Sequence, residues 1–219
     1  MKYYIGIDLG GTNVRTLLVD ENGKTYSEVK DATEREKGPD FVCSKIIRQI
    51  ESLDCSICGG IANIEGIGIG VPGPVDTVHG VMIMATNLPG FENYPICEKL
   101  SSRFNLPVFI DNDANVAGLA EALLGAGKGK ATCYYVTIST GIGGAFIVNG
   151  QVVSGGRGHA GEIGNIIVKN NGYKFGGLNP GAVEGEASGT AITRKGKEIL
   201  GEDKVAHAGD VFRLADEGD

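Results

Sequence analysis

Apolar residues at a two-residue spacing open the chain. Tyr3 to Val19 reads as a strand, a tight turn at Gly10-Gly11 and a second strand, and Asn22-Gly23 signals a hairpin into a third. The period then changes: a helix opening at Pro39-Asp40 is predicted from Val42, Ile46, Ile47, Ile50 and Leu53 at helical spacing. Ile64 to Val71 returns to a strand that alternates with glycine and is stopped by Pro72-Gly73-Pro74. A second helix is predicted from Pro95 to Phe104, with Pro95 in its first turn. Val108-Phe109-Ile110 reads as a short buried strand leading through Asp111-Asn112-Asp113 into a third helix with apolar positions Val116, Leu119, Ala120, Leu123 and Leu124. A strand end feeding a helix start is where ligands gather in sheet-based folds.

The second half repeats the architecture. Cys133 to Val148 is again strand, Gly-rich turn and strand, and Asn149-Gly150 again signals a hairpin. The copies are out of register, since 11 positions separate Gly11 from Asn22 and five separate Gly144 from Asn149. The repeat is therefore one of architecture, not of sequence. Two similar sheets flanking a cleft follow, with a boundary in the stretch Asp111 to Asn115 and expected lobes 1–112 and 113–219. Beyond Gly155 the pattern weakens until a helix-like run at Ala187 to Leu200, and Arg213 to Asp219 falls within or just after a further helix.

The 219 residues, 42% hydrophobic and 21% charged, suit an ordinary globular chain. Its 36 glycines exceed the average share of about 7% without a collagen-like period, which points to tight turns and close backbone approach to a ligand. A net charge of -7 argues against a general nucleic-acid or membrane surface. Cys43, Cys55, Cys58, Cys97 and Cys133 are odd in number and follow no leader-like apolar run, so free thiols and a cytoplasmic setting are expected. Cys55-x-x-Cys58 follows a helical pattern and meets Gly59-Gly60, the wrong context for a redox pair.

Three familiar patterns fail on context. Gly68-Ile-Gly70-Val-Pro-Gly73 has prolines where a helix should start, Gly156 to Gly161 lacks a strand-to-helix turn, and Gly125 to Lys130 runs from helix to strand, the reverse of a P-loop. Better candidates are the loops Asp8-Leu9-Gly10-Gly11-Thr12 and Thr137 to Gly144. Glycine lets successive N–H groups turn to one anion, and Ser and Thr add donors; a pair of plain tight hairpins is the alternative. Asp8, at the end of an apolar strand, is either a costly buried carboxylate or a place for hydrated magnesium. One of Asp111, Asn112 and Asp113 caps the helix, but three exceed what a cap requires. His79, His159 and His207 show no metal spacing.

Together, Ile5 to Thr12 (IGIDLGGT), Gly70-Val71-Pro72-Gly73, Asn87-Leu88-Pro89-Gly90, Asp111 to Asn115, Thr140 to Gly144 and Gly158-His159-Ala160-Gly161-Glu162 resemble the ROK family of sugar kinases and sugar-responsive repressors, in the actin, Hsp70 and hexokinase superfamily. The resemblance implies a bilobal α/β protein of the actin-like, ribonuclease H-like fold with its second lobe truncated at the C-terminus. It implies ATP phosphates gripped by Gly10, Gly11, Thr12, Thr140, Gly141 and Gly143, magnesium placed by Asp8, and Asp113 as the general base for the primary hydroxyl of a hexose. It further implies that Asn87, Asn112, Glu162 and Glu184 hold the sugar. Glucose is the leading substrate, with fructose, mannose and N-acetylmannosamine open; a non-catalytic sugar binder is the alternative.

Two departures stand out. The family's structural zinc uses a histidine and three cysteines, but Asn165 stands at the histidine position and no cysteine follows Cys133, so no zinc is expected; Asn165 can still hydrogen-bond a sugar. Family members also run on through an adenosine-binding portion, so a fragment, or else a natural truncation, that binds ATP weakly or not at all is expected. The first strand leaves no room ahead of it for a helix-turn-helix, so nucleic acid is not an expected partner, nor is a membrane; a homodimer is left open.

Overall fold

β1 (Tyr3–Leu9), β2 (Asn13–Asp20) and β3 (Thr25–Ala32) form the predicted double hairpin. The computed structural model describes every residue except Thr86, Arg157 and Asp219; Arg157 belongs to the second discarded glycine pattern, and Asp219 is the last residue of the predicted final stretch. At the first Asn-Gly turn the Asp20 carboxylate accepts the N–H groups of Asn22 at 2.8 Å and Lys24 at 3.0 Å, while Gly23 takes a φ of 81°. A side-chain acceptor and a left-handed glycine together close the hairpin. β4 (Ile67–Val71) and β7 (Val108–Asn112) add in parallel, giving the order β3-β2-β1-β4-β7. A short pair, β5 (Val75–Asp76) and β6 (Val81–Met82), lies between them in sequence.

Alternation on the strands decides the core. Ile5, Ile7 and Leu9 of β1, and Val14 and Leu18 of β2, are buried against Val42, Ile46 and Ile50 of α1 (Pro39–Ser52). Thr16, buried among them, donates to Gln49 Oε1 at 2.8 Å, and Gln49 donates to Asp31 at 2.8 Å, so the polar groups carried into this layer are satisfied. α2 (Ile96–Phe104) adds Ile96 and Leu100; Pro95 sits just ahead of its first turn, not inside it.

The second sheet is β10-β9-β8, from β8 (Thr132–Ile138), β9 (Ile142–Val148) and β10 (Gln151–Val152). α3 (Asp113–Leu123) follows β7 without a loop and lies on β8 and β9. Its buried side differs from the apolar positions read from sequence: Ala114, Asn115, Gly118 and Ala122 face inward, while Val116, Leu123 and Leu124 are exposed. Small residues win because the helix approaches so closely that a Cβ on Gly118 would sit 2.7 Å from Ala145 Cβ and 2.9 Å from Tyr135 Cβ. α4 (Val183–Ala187), α5 (Gly189–Leu200) and α6 (Ala208–Asp216) follow an irregular stretch that includes a 3₁₀ turn at Ile163–Asn165. No helix among the described residues is long and apolar enough to cross a membrane.

Candidate active site

The parallel register lines up the strand ends: Asp8 of β1 lies opposite Gly70 of β4, and Gly70 opposite Asp111 of β7. These carboxyl ends open into a cleft of about 870 Å³ between the two sheets. Its walls carry Asp8, Asn87, Asn112, Asp113, Thr140, Gly141, Gly143, Glu162 and Glu184, nine residues from six separate stretches of sequence. Gly10, Gly11, Thr12 and Asn165 are not on that wall. The first loop is tied into its hairpin, with Gly10 N–H on Asn13 O at 2.9 Å and the Thr33 hydroxyl on Gly10 O at 2.6 Å. Gly11 abuts the Asn87 segment, where an added Cβ would meet Asn87 O at 2.8 Å and Arg35 Nη1 at 2.9 Å. Asn165 is exposed, its N–H turned back to Glu162 O at 3.3 Å.

At the start of α3 the cap falls to Asn112 and not to its neighbour Asp113. Asn112 Oδ1 accepts the N–H of Ala114 at 2.9 Å and of Asn115 at 3.3 Å, and its amide donates to Gly73 O at 3.1 Å. Asp111 accepts the N–H of Asn112 and the side-chain amide of Asn115. Asp113 is thereby released from capping: only its Oδ1 is engaged, by Ala114 N–H at 2.8 Å. The side chain is open to the cleft, yet the surrounding walls withdraw water, and this desolvation pushes its carboxyl above the ordinary range; the Ala114 N–H opposes the shift and the charge of Asp8 adds to it. Glu162 is raised as well, by desolvation first, with His159 opposing and Glu184 and Asp113 adding to it.

The second loop is held from behind. Gly189 N–H donates to Ser139 O at 2.8 Å, the Thr190 hydroxyl to Thr140 O at 2.8 Å, and Ile142 N–H to Glu184 Oε2 at 2.8 Å. With those carbonyls drawn to the start of α5, the N–H groups of Thr140 and Gly141 have no acceptor among the described residues. Two adjacent bare N–H groups suit phosphate oxygens, and carboxylates at Asp8 and Asp113 within one cleft suit a hydrated divalent cation, so this donor set fits a magnesium nucleotide. It does not fit the zinc: no cluster of three or more His, Cys, Asp or Glu able to hold a metal exists among the described residues, and Asn165 is a poor zinc ligand. Thr137 and Ser139 of the candidate loop also line the cleft, as do Phe175 and Tyr135, which sequence alone did not mark; Phe175 lies in a Gly-rich stretch with no period to mark it.

Comparison with known proteins places this arrangement. The glucokinase of Halalkalibacterium halodurans is 32% identical over 234 aligned residues, covering 100% of this chain and 70% of that protein. The structure of the ROK hexokinase of Thermus thermophilus matches with a TM-score of 0.85 at 34% identity, over 99% of this chain and 70% of that one. A ROK family glucokinase of Streptomyces griseus, solved with glucose and AMPPNP, matches with a TM-score of 0.74 at 30% identity, over 99% of this chain and 72% of that one. The xylose repressor of Bacillus subtilis is 29% identical over 97% of this chain and 56% of its own length. The chain thus spans between about half and three quarters of the length of these relatives. Its fold is the actin-like ATPase fold of ROK kinases, the ROK family model matches residues 4–219, and the chain belongs to the ROK family.

Proposed function

We propose that this chain carries the hexose site and phosphate loops of an ATP-dependent sugar kinase, built as lobes of residues 1–112 and 113–219. The observation that carries the reading is the division of labour at Asn112 and Asp113. A carboxylate freed from capping, raised by desolvation and facing the cleft is a stronger proton acceptor than an ordinary aspartate. Asp113 takes the proton of the primary hydroxyl of a hexose, glucose first among candidates. Asn87, Glu162 and Glu184 orient the ring through its other hydroxyls, and Asn112, with its oxygen used by the helix, offers one remaining N–H. Magnesium-bound ATP, when present, supplies the phosphoryl group. The N–H groups of Thr140 and Gly141 hold phosphate oxygens there and Asp8 helps place the cation, while in the first loop Gly10 N–H is spent on Asn13 O, which leaves only Gly11 and Thr12 to add donors from the other side. Such transfer rests on positioning and electrostatics, which a wall of backbone amides and a few carboxylates provides.

The xylose repressor among the relatives favours a second reading, a sugar-binding regulator without turnover. Hexose-dependent ADP release, followed over glucose, fructose, mannose and N-acetylmannosamine beside calorimetric sugar binding, separates the two. Release with one hexose supports the kinase. Binding without release supports the regulator, and neither binding nor release refutes both.

A further inference from the structure

Glu184 is the one sugar-facing side chain named above that also bonds to the second phosphate loop. It stands in the first turn of α4 on the cleft wall, and its Oε2 accepts the Ile142 N–H at 2.8 Å. The carboxylate lies so close over the loop that a Cβ on Gly141 would meet Oε2 at 2.6 Å and Cδ at 3.1 Å. By contrast, the bonds of Asn112 end on α3 and Gly73. We infer that Glu184 is a positioning residue that links hexose occupancy to anion occupancy of the Thr140–Gly141 loop, so that each ligand tightens the other. The inference rests on the sugar-kinase reading.

The sign follows from charge and geometry. A carboxylate beside the two bare N–H groups repels an arriving phosphate. A sugar hydroxyl donating to Oε1 draws part of that charge away and leaves the Oε2 bond to Ile142 in place, fixing the side chain and the loop together. Anion binding then meets a better ordered loop and a less repulsive neighbour. Thermodynamic linkage makes the effect reciprocal: whatever factor glucose gives the anion, the anion gives glucose.

Calorimetry of the full 219-residue chain with inorganic pyrophosphate, without and with saturating glucose, tests it. Pyrophosphate binds at least about five-fold tighter with glucose bound, the lower end of ordinary coupling between sites. In Glu184→Gln, which keeps the acceptor for Ile142 N–H and loses the charge, pyrophosphate alone binds tighter than in the parent. Glucose, raised to saturation, then adds nothing. Glu162→Gln weakens glucose but keeps the ratio. Hydrogen exchange of the Ile142 amide in the parent chain slows on glucose addition, a readout that stands even if the variants fold poorly. Glucose and pyrophosphate binding independently, or a ratio that survives Glu184→Gln, overturns the inference while leaving the kinase reading intact. Failure of every hexose to bind brings down both.

Discussion

Replacing Asp113 by Asn separates two roles that the sequence Asp111-Asn112-Asp113 leaves superposed. The asparagine retains the Oδ1 that accepts Ala114 N–H at 2.8 Å, and the cap itself belongs to Asn112, so helix α3 keeps its start. Folding disfavours the charge on Asp113, whose carboxyl is raised by desolvation and by Asp8. A raised carboxylate weakens the fold above its ordinary titration range, and that cost disappears as pH falls and the group is protonated. Asp113→Asn therefore leaves the melting temperature unchanged or higher at neutral pH, with any gain vanishing in acid. Turnover, by contrast, falls by about 10² to 10⁴, the usual worth of a positioned base. Asn112→Ala is the mirror experiment. It removes a cap worth about 1 kcal/mol and the Gly73 bond worth about another. The sum of about 2 kcal/mol corresponds to a melting temperature lower by about 4–8 °C in a chain of this size. Thermal denaturation and hexose-dependent ADP release on both variants check it. Near-normal turnover in Asp113→Asn, or a loss of stability like that of Asn112→Ala, refutes the assignment.

Glu186 accepts Lys195 Nζ at 2.8 Å and Tyr173 N–H at 2.7 Å, and these, Lys195 foremost, hold its carboxyl at about 2. A depressed carboxylate stabilises above its ordinary value and loses that contribution as pH falls through the folded one. The melting difference between the parent and Glu186→Gln is therefore present at neutral pH and shrinks towards pH about 2; a difference constant with pH contradicts this. Gly118→Ala drives a methyl into Ala145 and Tyr135 and costs about 1–3 kcal/mol in urea denaturation; a neutral change means that α3 lifts freely from β8 and β9. Elemental analysis after chelator washing finds no stoichiometric zinc, and about one zinc per chain overturns the reading of Asn165.

Legibility followed the range of the interactions. The hairpins were visible because each is closed locally: Asn149 and Gly150 take φ of 49° and 74°, the left-handed pair that the Asn-Gly signal implies. α1 was visible because Val42, Ile46 and Ile50 recur at helical spacing on its buried side, although Lys45 and Gln49 are buried with them. α3 was placed correctly, but its inward side was not, since a helix pressed on a sheet at Gly118 selects for smallness, which hydrophobic periodicity does not register. The irregular stretch before α4 has no period because long-range bonds hold it: Val168 N–H to Gly181 O at 2.9 Å, Gly181 N–H to Tyr173 O at 3.1 Å, and Arg194 stacked 3.8 Å from the Tyr173 ring centroid. That same stretch hid Phe175 and left Asn165 off the cleft wall. The acids were legible as candidates, whereas the fact that Asn112 carries the cap and leaves Asp113 open to the cleft shows only in the fold.

The missing loop between β7 and α3 has a mechanical consequence. Asn112 ends a strand of one sheet and Asp113 begins a helix pressed onto the other, so a rotation of the two sheets against each other would turn about this peptide. A group on a pivot changes direction but scarcely travels. The Asp113 carboxylate would hold its place beside Asp8 while Thr140 and Gly141, on the turn between β8 and β9, swept the larger arc and narrowed the cleft.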